Sequence, residues 1–285
     1  MDNCYTFCSW SNLLLWSIVL GLGVGFYKLA GNDYVGGLVA PSTISNLHLW
    51  LKVNKGIIGE DGGDSDAGTM SDGEDITSWA DQSGRGRHAL GDGTDSKKPH
   101  WETDAADFGG LKWPDDTADT HMDLTPEKEI KILANTDFTI MMRVKLSDFT
   151  TAMALLGSAA QDIVKWTTNK RVAILIAGAG ATVFEESSDT IATDKYYIHT
   201  LTRTDGSTGN ITYHVHGDSY NDKFWNDDSS TRRDSDEFDI TNIGCGADGV
   251  LPVEGVIKDV LIWNGTALSD AQRSDMYAYI LGQQY

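Results

Sequence analysis

The feature of this sequence that most constrains its fold is a succession of short segments with alternating apolar and polar residues. Leu47, Leu49 and Leu51 alternate with His48 and Trp50, which is the period-two pattern of a β-strand. Similar segments follow at short intervals as far as residues 256–263. Because no regular alternation of strands and helices appears, the pattern indicates antiparallel strands in a sandwich or barrel rather than a parallel sheet.

The predicted elements can be placed along the chain. Beyond the first strand, strands are predicted over residues 76–81, 111–113, 122–124, 137–146, 152–157, 171–177, 181–185, 195–204, 210–217, 238–243 and 256–263. Residues 125–133 predict one or two helical turns, with Thr125 as N-cap and Pro126 at the first helical position. Ser269 is predicted to cap a C-terminal helix. One face of this helix would carry Ala271, Met276, Tyr279 and Ile280.

The composition narrows the possible partners. The chain has 22 Lys and Arg against 42 Asp and Glu, a formal net charge of −20. Nucleic acids and anionic membrane surfaces are therefore excluded as expected partners, since both attract basic clusters. The acidity fits either solubility or divalent cation binding in acidic loops. Cys4, Cys8 and Cys245 are too few and too unevenly spaced for a disulfide framework.

An apolar segment over residues 13–26 precedes the strands. At about 14 residues it is short for a membrane span, which needs about 20. A signal peptide normally begins with a positive stretch, whereas Asp2 is the charged residue here. A membrane anchor and a cleaved signal remain alternatives, and we favour an arm that is buried against a partner protein. The arm residues are Leu13, Leu14, Leu15, Trp16, Ile18, Val19, Leu20 and Phe26.

The order of the segments resembles a known family. The Trp-x-Asp-x-Ser-Gly-x-Gly element at residues 79–86 and the Leu-Ser-Asp-Ala-x-Arg start of the last helix at 268–273 carry most of the likeness. The chain resembles the laminin-G-like branch of the concanavalin A-like lectin/glucanase superfamily, of the kind found in structural proteins of tailed, cyanophage-like bacteriophages. The resemblance implies an all-β, two-sheet antiparallel jelly-roll sandwich with a short C-terminal helix. Residues 1–43 would form the extended arm and linker, and residues 44–285 the sandwich.

Catalysis is not predicted. Sugar hydrolysis needs two carboxyl groups about 5 to 9 Å apart at one site. Glu185 and Glu186 are adjacent in sequence and therefore point to opposite faces of a strand. Asp234, Asp236 and Glu237 lie in a charged run typical of a loop. The sequence therefore predicts a protein that is not an enzyme.

Two metal sites can be proposed from the spacing of possible ligands. An acidic, glycine-rich loop supplies carboxylates for calcium, with simple solvation as the alternative. The proposed calcium ligands are Asp61, Asp64, Asp66, Asp72 and Glu74. His214 and His216 share a strand face, and a hairpin turn centred on Gly206 and Ser207 would bring His199 near them as a zinc site. A register slip of one residue would remove that cluster.

Tryptophans are the candidate sugar platform. Trp50, Trp79 and Trp263 lie on predicted strands and are expected in the core. The tryptophans predicted to lie in or near loops, where they would be able to stack on a glycan, are Trp101, Trp113, Trp166 and Trp225.

Two functional hypotheses follow. The first is a non-enzymatic virion protein, for capsid decoration or tail association. Its arm would contact other virion proteins, and its sandwich would assemble as a homo-oligomer and hold glycans. The alternative is a secreted or membrane-anchored carbohydrate-binding module at the cell surface. The cofactor expected, if the acidic loop holds a metal, is calcium.

Overall fold

A computed structural model of the chain describes most of the region from Val39 to Gly282. The described residues are 39–66, 68–91, 93, 97–104, 107–113, 120–125, 128–148, 150–158, 162–168, 172–176, 182–185, 191–193, 195–204, 210–217, 220–227, 236–246 and 251–282. The fold is nearly all-β, with antiparallel sheets arranged as a sandwich and one short helix at the C-terminal end. This confirms the predicted fold class.

The strands are short and numerous. The first ten are β1 (Leu47–Lys52), β2 (Ile57–Gly59), β3 (Ile76–Trp79), β4 (Ala89–Gly91), β5 (His100–Asp104), β6 (Asp107–Trp113), β7 (Met122–Leu124), β8 (Ile130–Ile132), β9 (Phe138–Leu146) and β10 (Met153–Gly157). The others are β11 (Ile163–Trp166), β12 (Val172–Leu175), β13 (Thr182–Glu185), β14 (Tyr196–Thr204), β15 (Asn210–Gly217), β16 (Tyr220–Asp227), β17 (Phe238–Ile240), β18 (Asn242–Ile243) and β19 (Gly255–Asn264). A 3-10 helix spans Pro41–Thr43, and α1 spans Asp270–Gly282.

Two sheets form the sandwich. In sheet A the order is β16, β15, β14, β9 and β19. The far edge of β19 pairs with β6 along its first half and with β1 along its second half, and β5 continues beyond β6. In sheet B the order is β2, β3, β4, β7, β18, β10, β11, β12 and β13. Strand β16 also pairs with β13 and so joins the two sheets.

Alternation along the strands builds the core between the sheets. Leu49 and Leu51 on β1 are fully buried. Ile76 and Trp79 are three residues apart on β3, and both are fully buried because the β2–β3 register is irregular there. The inner faces of both sheets contribute to one continuous apolar cluster. Burial of apolar surface in such a cluster is the main contribution to the stability of the fold. Strands β8 and β17 form a separate two-stranded ribbon whose Ile132 and Phe238 also reach this cluster.

The outer face of sheet A, turned away from sheet B, is covered by α1. Met141, Ile198 and Leu261 on this face form a second buried cluster with residues of the helix. Tyr279 of α1 packs edge-on against Trp50, with ring centroids 6.0 Å apart. Because an apolar sheet face is stable only when something shields it from water, α1 is an integral layer of the fold.

The predicted helix start is confirmed, and its buried face is only partly so. Ser269 Oγ accepts a hydrogen bond from the Gln272 backbone N–H (3.3 Å), and Gln272 Oε1 accepts one from the Ser269 N–H (3.0 Å). This is a reciprocal capping box. Met276, Tyr279 and Ile280 are buried as predicted, whereas Ala271 is exposed. Arg273 and Tyr277 complete the buried face.

Other predictions need correction. Residues 128–133 contain strand β8 where helical turns were expected, because pairing with β17 outweighs the local helix signal. Strands β2, β5, β11 and β16 were not predicted. The packed region also begins before residue 44, since Ala40 is buried in the second cluster. Within the described residues, no helix has the length and apolarity needed to cross a membrane.

Candidate functional site

The outer face of sheet B carries a row of residues paired directly across eight strands. Each member is the register partner of the next, so the row crosses the sheet perpendicular to the strands. From one edge to the other the members are Ile58, Ser78, Leu90, Asp123, Asn242, Gly157, Ile163 and Leu175. We call this row the sheet B ladder.

Strand alternation explains why the ladder faces outward. Leu90 follows the buried Ala89, and Asp123 lies between the buried Met122 and Leu124. Because successive side chains on a strand point to opposite faces, burying these neighbours in the core turns Leu90 and Asp123 to the outside. Ile58 and Leu90 remain 39% and 37% exposed, so this part of the face is accessible to a ligand.

A polar pair occupies the centre of the ladder. Asn242 Nδ2 donates a hydrogen bond of 2.7 Å to Asp123 Oδ1. His121 Nε2 lies 3.5 Å from the same carboxylate oxygen. The Thr241 hydroxyl donates to the Asn242 side-chain oxygen, which fixes the amide orientation. The Asp123 side chain is 55% exposed, so its carboxylate is held in place and still faces solvent.

Small residues and loops shape the surroundings of this pair. Ser78 lies beyond Leu90 on one side, and Gly157 lies beside Asn242 on the other. A Cβ added at Gly157 would come within 3.0 Å of the Asp162 carbonyl oxygen and of Gly246 Cα. The chain around Asp162 and Gly246 therefore covers the ladder at the buried Gly157 and forms a wall at that end of the exposed part. The arrangement is an oriented carboxylate and amide bordered by apolar surface and a wall.

The outer face of sheet A has a polar half as well, but its charges pair with one another. Glu102 Oε1 accepts a hydrogen bond of 2.8 Å from Lys145, and Glu102 Oε2 lies 3.2 Å from the Lys112 Nζ. Burial alone would raise the pKa of Glu102, and these two lysines lower it overall. Nearby Asp259 is buried, and desolvation raises its pKa to about 6 despite the adjacent Arg143. This half is an internal ion network.

The Trp-x-Asp-x-Ser-Gly-x-Gly element forms the turn between β3 and β4. Its Asp81 carboxylate accepts hydrogen bonds from the backbone N–H groups of Trp50 (3.0 Å), Ser83 (2.8 Å) and Arg87 (3.0 Å), and from the Ser83 hydroxyl (2.8 Å). The Gln82 N–H in turn donates to the Trp50 carbonyl at 2.7 Å. The element therefore fastens this turn of sheet B to β1 of sheet A.

The tryptophans predicted as a sugar platform lie on strands. Trp101 on β5, Trp113 on β6 and Trp166 on β11 are at most 4% exposed and belong to the core cluster. A buried indole cannot stack on a ligand, so the predicted loop positions are wrong for these three. Trp225 lies on β16, opposite Tyr213. Strands β5, β11 and β16 were not predicted, which explains why their tryptophans were assigned to loops.

The acidic loop uses its carboxylates to organise its own backbone. Glu74 is 5% exposed and accepts hydrogen bonds from the N–H groups of Gly63 (2.8 Å) and Ser71 (3.0 Å). Asp72 accepts from the Thr103 N–H (2.8 Å), and Asp64 accepts from the Asp66 N–H (2.8 Å).

The Asp66 carboxylate itself caps the Gly56 N–H. Asp61, the remaining proposed ligand, is an exposed turn residue. In the described part of the chain, no three carboxylate, histidine or cysteine side chains are placed to share an ion. The five proposed calcium ligands are therefore not brought together.

The predicted zinc site does not form, because the register of the hairpin differs by one residue from the one assumed. The β14–β15 hairpin pairs His199 with Val215 and Thr200 with His214. His199 consequently points into the core, where its Nδ1 lies 2.5 Å from the Tyr213 hydroxyl. His216 points to the other face and stacks on Tyr277 of α1, with ring centroids 4.4 Å apart. Burial lowers the pKa of His199 to about 3, so this imidazole is neutral.

The predicted arm, residues 13–26, lies outside the described residues. The ladder residues were not singled out from the sequence. The alternation in Met122–Leu124 is enough to turn Asp123 away from the core. No local signal pairs Asp123 with Asn242, which is 119 residues away.

Comparisons with known proteins report on the fold. No protein-family model matches this sequence, and no curated protein matches it either. A structure of Trypanosoma rangeli sialidase with 2,3-difluorosialic acid is 15% identical, with a TM-score of 0.51, covering 95% of this chain and 39% of that one. The binding domain of botulinum neurotoxin serotype G is 18% identical, with a TM-score of 0.50, covering 84% and 52%.

The chain thus spans about half of the neurotoxin domain and about two-fifths of the sialidase. At these identities the likeness concerns architecture. Together with the two sheets, it defines the class of this protein as an antiparallel β-sandwich.

Proposed function

We propose that this chain is a non-enzymatic binding module that holds a carbohydrate on the sheet B ladder. The observation that carries the proposal is the Asp123 carboxylate, which is 55% exposed, held in place by the buried Asn242 and next to the exposed Leu90. The sialidase neighbour was solved with a sialic acid derivative, which supports sugars as the ligand class.

The chemistry of the ladder suits a polyhydroxylated ligand. The Asp123 carboxylate accepts hydrogen bonds from sugar hydroxyls, and charge-assisted hydrogen bonds are stronger than neutral ones. The exposed side chains of Leu90 and Ile58 offer apolar contact to the C–H faces of a sugar ring. Since neighbouring strands are about 4.8 Å apart, the ladder is long enough for several sugar units.

The same ladder supports binding without hydrolysis. Glycosidases use two carboxyl groups, one to donate a proton and one to attack or activate water. Asp123 is the single carboxylate among the eight ladder residues. Its partner Asn242 is a buried amide, which orients the carboxylate and cannot act as an acid or base at neutral pH.

A glycan array with the full chain tests this function. We expect binding to a defined set of glycans, and Asp123→Asn should weaken the affinity for each about tenfold by removing charge-assisted hydrogen bonds. Asp61→Asn, which neutralises an exposed carboxylate away from the ladder, is the matched control and should bind normally. Absence of any glycan binding, or equal binding by Asp123→Asn, would reject the proposal.

For the biological setting we propose a virion, where the arm attaches the module to neighbouring subunits and the sandwich faces outward. The support is the apolar sequence of residues 13–26 ahead of an acidic sandwich. Proteomics of purified particles together with N-terminal sequencing tests it. An intact Met1 in particles is expected. A new N-terminus after residue 26 on secreted protein would favour the cell-surface alternative.

A further inference from the structure

The turn between β3 and β4 carries two arginines on either side of Gly86. Arg85 Nε donates a hydrogen bond of 3.0 Å to the Leu47 carbonyl, which lays this exposed side chain against the start of β1. Arg87 is half-buried, and its backbone N–H is one of the donors to Asp81. Two guanidinium groups are therefore held on one short turn of a strongly acidic protein.

The positive charges of this turn act on one another and on His48, the residue after Leu47. Burial lowers the pKa of His48 to about 4, and Arg85 and Arg87 contribute to the shift while Asp81 opposes it. Burial and Arg85 also lower the pKa of Arg87, against the opposing charges of Asp81 and Glu129. The hydrogen bond from Arg85 to the Leu47 carbonyl brings the turn beside His48, so the two arginines and the imidazole belong to one region of the surface.

Asp81 cannot satisfy the arginine side chains, because its carboxylate already accepts four hydrogen bonds from the turn and β1. Arg87 Nε and His48 Nδ1 are shielded from solvent and have no hydrogen-bond partner. An N–H donor removed from water without an acceptor costs free energy. Because Arg87 Nε is out of reach of solvent, an anion can contact this guanidinium group only at the part of the side chain that stays exposed.

There is space for a ligand beside the turn. Gly84 and Gly86 have φ angles of 81° and 70°, a left-handed conformation that favours glycine. A Cβ added at either position would meet no atom within 4 Å. The region next to both arginines is therefore open.

We propose that the β3–β4 turn is an oxyanion-binding site, at which Arg85 and Arg87 hold a sulfate or carboxylate group. Planar guanidinium groups match the oxygen pairs of such anions. The exposed Arg85 side chain and the exposed part of the half-buried Arg87 side chain supply the donors. The anion comes either free from solution or as the acidic group of a sugar. This site is separate from the Asp123–Asn242 pair and does not depend on it.

Titration of the full chain with sodium sulfate at low ionic strength tests the site. NMR of the arginine Nε–H and histidine signals should show saturable shifts, and the pKa of His48 should rise because a nearby anion favours the charged imidazole. Arg87→Gln should weaken sulfate binding about tenfold. Lys55→Gln, which removes an exposed positive charge elsewhere, should leave it unchanged.

Further measurements distinguish a free anion from the acidic group of a sugar. They also control for misfolding of the variants. Binding of glucuronate without binding of glucose identifies a sugar acid as a ligand, whereas binding of sulfate alone identifies a free anion. Arg87→Lys keeps the charge and loses the planar fork, so it should bind more weakly than the parent while melting at a similar temperature. Equal sulfate affinity in the parent and Arg87→Gln, or a response that never saturates, would overturn the inference. Asp123→Asn should bind sulfate normally, so this result is independent of the glycan proposal.

Discussion

The two outer faces of the sandwich differ in how far they are covered from solvent. On sheet A, the apolar residues Met141, Ile198 and Leu261 are covered by α1, whose Met276 is fully buried against them. On sheet B, the ladder remains accessible at its centre, where the Asp123 side chain is 55% exposed. One face is covered by the chain itself, and the other presents to solvent the Asp123 carboxylate, which the buried Asn242 orients.

The difference follows from the chemistry of each face. An apolar sheet face must be buried, since exposing it to water forfeits the burial free energy that holds the layers together. A face of small, polar and isolated apolar residues has no such requirement. Sheet A therefore serves stability, and sheet B is free to serve binding. The following predictions test this division, from the largest expected effect to the smallest.

The covered face should be the most sensitive to truncation. Met276→Ala should lower the free energy of unfolding by about 2–5 kcal/mol, because it leaves a cavity between α1 and sheet A. Urea denaturation at pH 7 measures this. Leu281→Ala on the same helix, at a side chain 38% exposed, is the control and should change stability by less than about 0.5 kcal/mol. Equal effects would mean that α1 does not stabilise the fold.

Substitution in the turn between β3 and β4, which fastens sheet B to sheet A, should have the next largest effect on stability. Asp81→Ala leaves the buried Trp50 N–H without its acceptor and should cost about 2–3 kcal/mol. Asp81→Asn keeps one oxygen that can accept some of these hydrogen bonds, so it should lower the free energy of unfolding by less. Both variants are compared by urea denaturation. A neutral Asp81→Ala would show that the turn is held by something other than its carboxylate.

The free energy of unfolding should depend on pH through His199, which lies in the core between the two sheets. The folded protein keeps this imidazole neutral to about pH 3, whereas in the unfolded chain it takes up a proton near pH 6.5. As the pH falls from 6.5 towards 3, the unfolded state binds the extra proton. Stability therefore falls by up to about 1.4 kcal/mol per pH unit from this group.

The substitution His199→Gln isolates that contribution. The fall in unfolding free energy between pH 6.5 and pH 4 should be less steep in the variant than in the parent, as measured by urea denaturation at a series of pH values. Above pH 7 the two pH dependences should coincide, which provides the internal control. Identical slopes below pH 6.5 would show that His199 is not buried in its neutral form.

The open face should be the least sensitive in stability. Leu90→Ala should change the free energy of unfolding by less than about 0.5 kcal/mol, since this side chain is 37% exposed. It should nevertheless weaken glycan binding severalfold by removing apolar contact. Leu281→Ala, with almost the same exposure on the covered side, should bind glycan like the parent. A large stability loss in Leu90→Ala would contradict the division between the two faces.

Individual elements show which parts of the fold can be predicted from the local sequence. The alternation in residues 47–52 predicts β1, and Ser269 as N-cap predicts the start of α1, because both signals lie within a few residues. Strands β5, β11 and β16 escaped prediction because their sequences lack a clear alternation. That omission assigned Trp101 and Trp166 to loops, although both lie in the core.

The sequence by itself determined that the chain is an antiparallel β-protein ending in a capped helix, since periodicity and capping are local properties of the backbone. Tertiary structure alone decided the hairpin register that separates His199 from His214, and the meeting of Asp123 with Asn242. Both depend on which strands become neighbours and in what alignment. That choice is made by the burial of the whole core, because a shift of one residue would turn every apolar side chain of a strand to water.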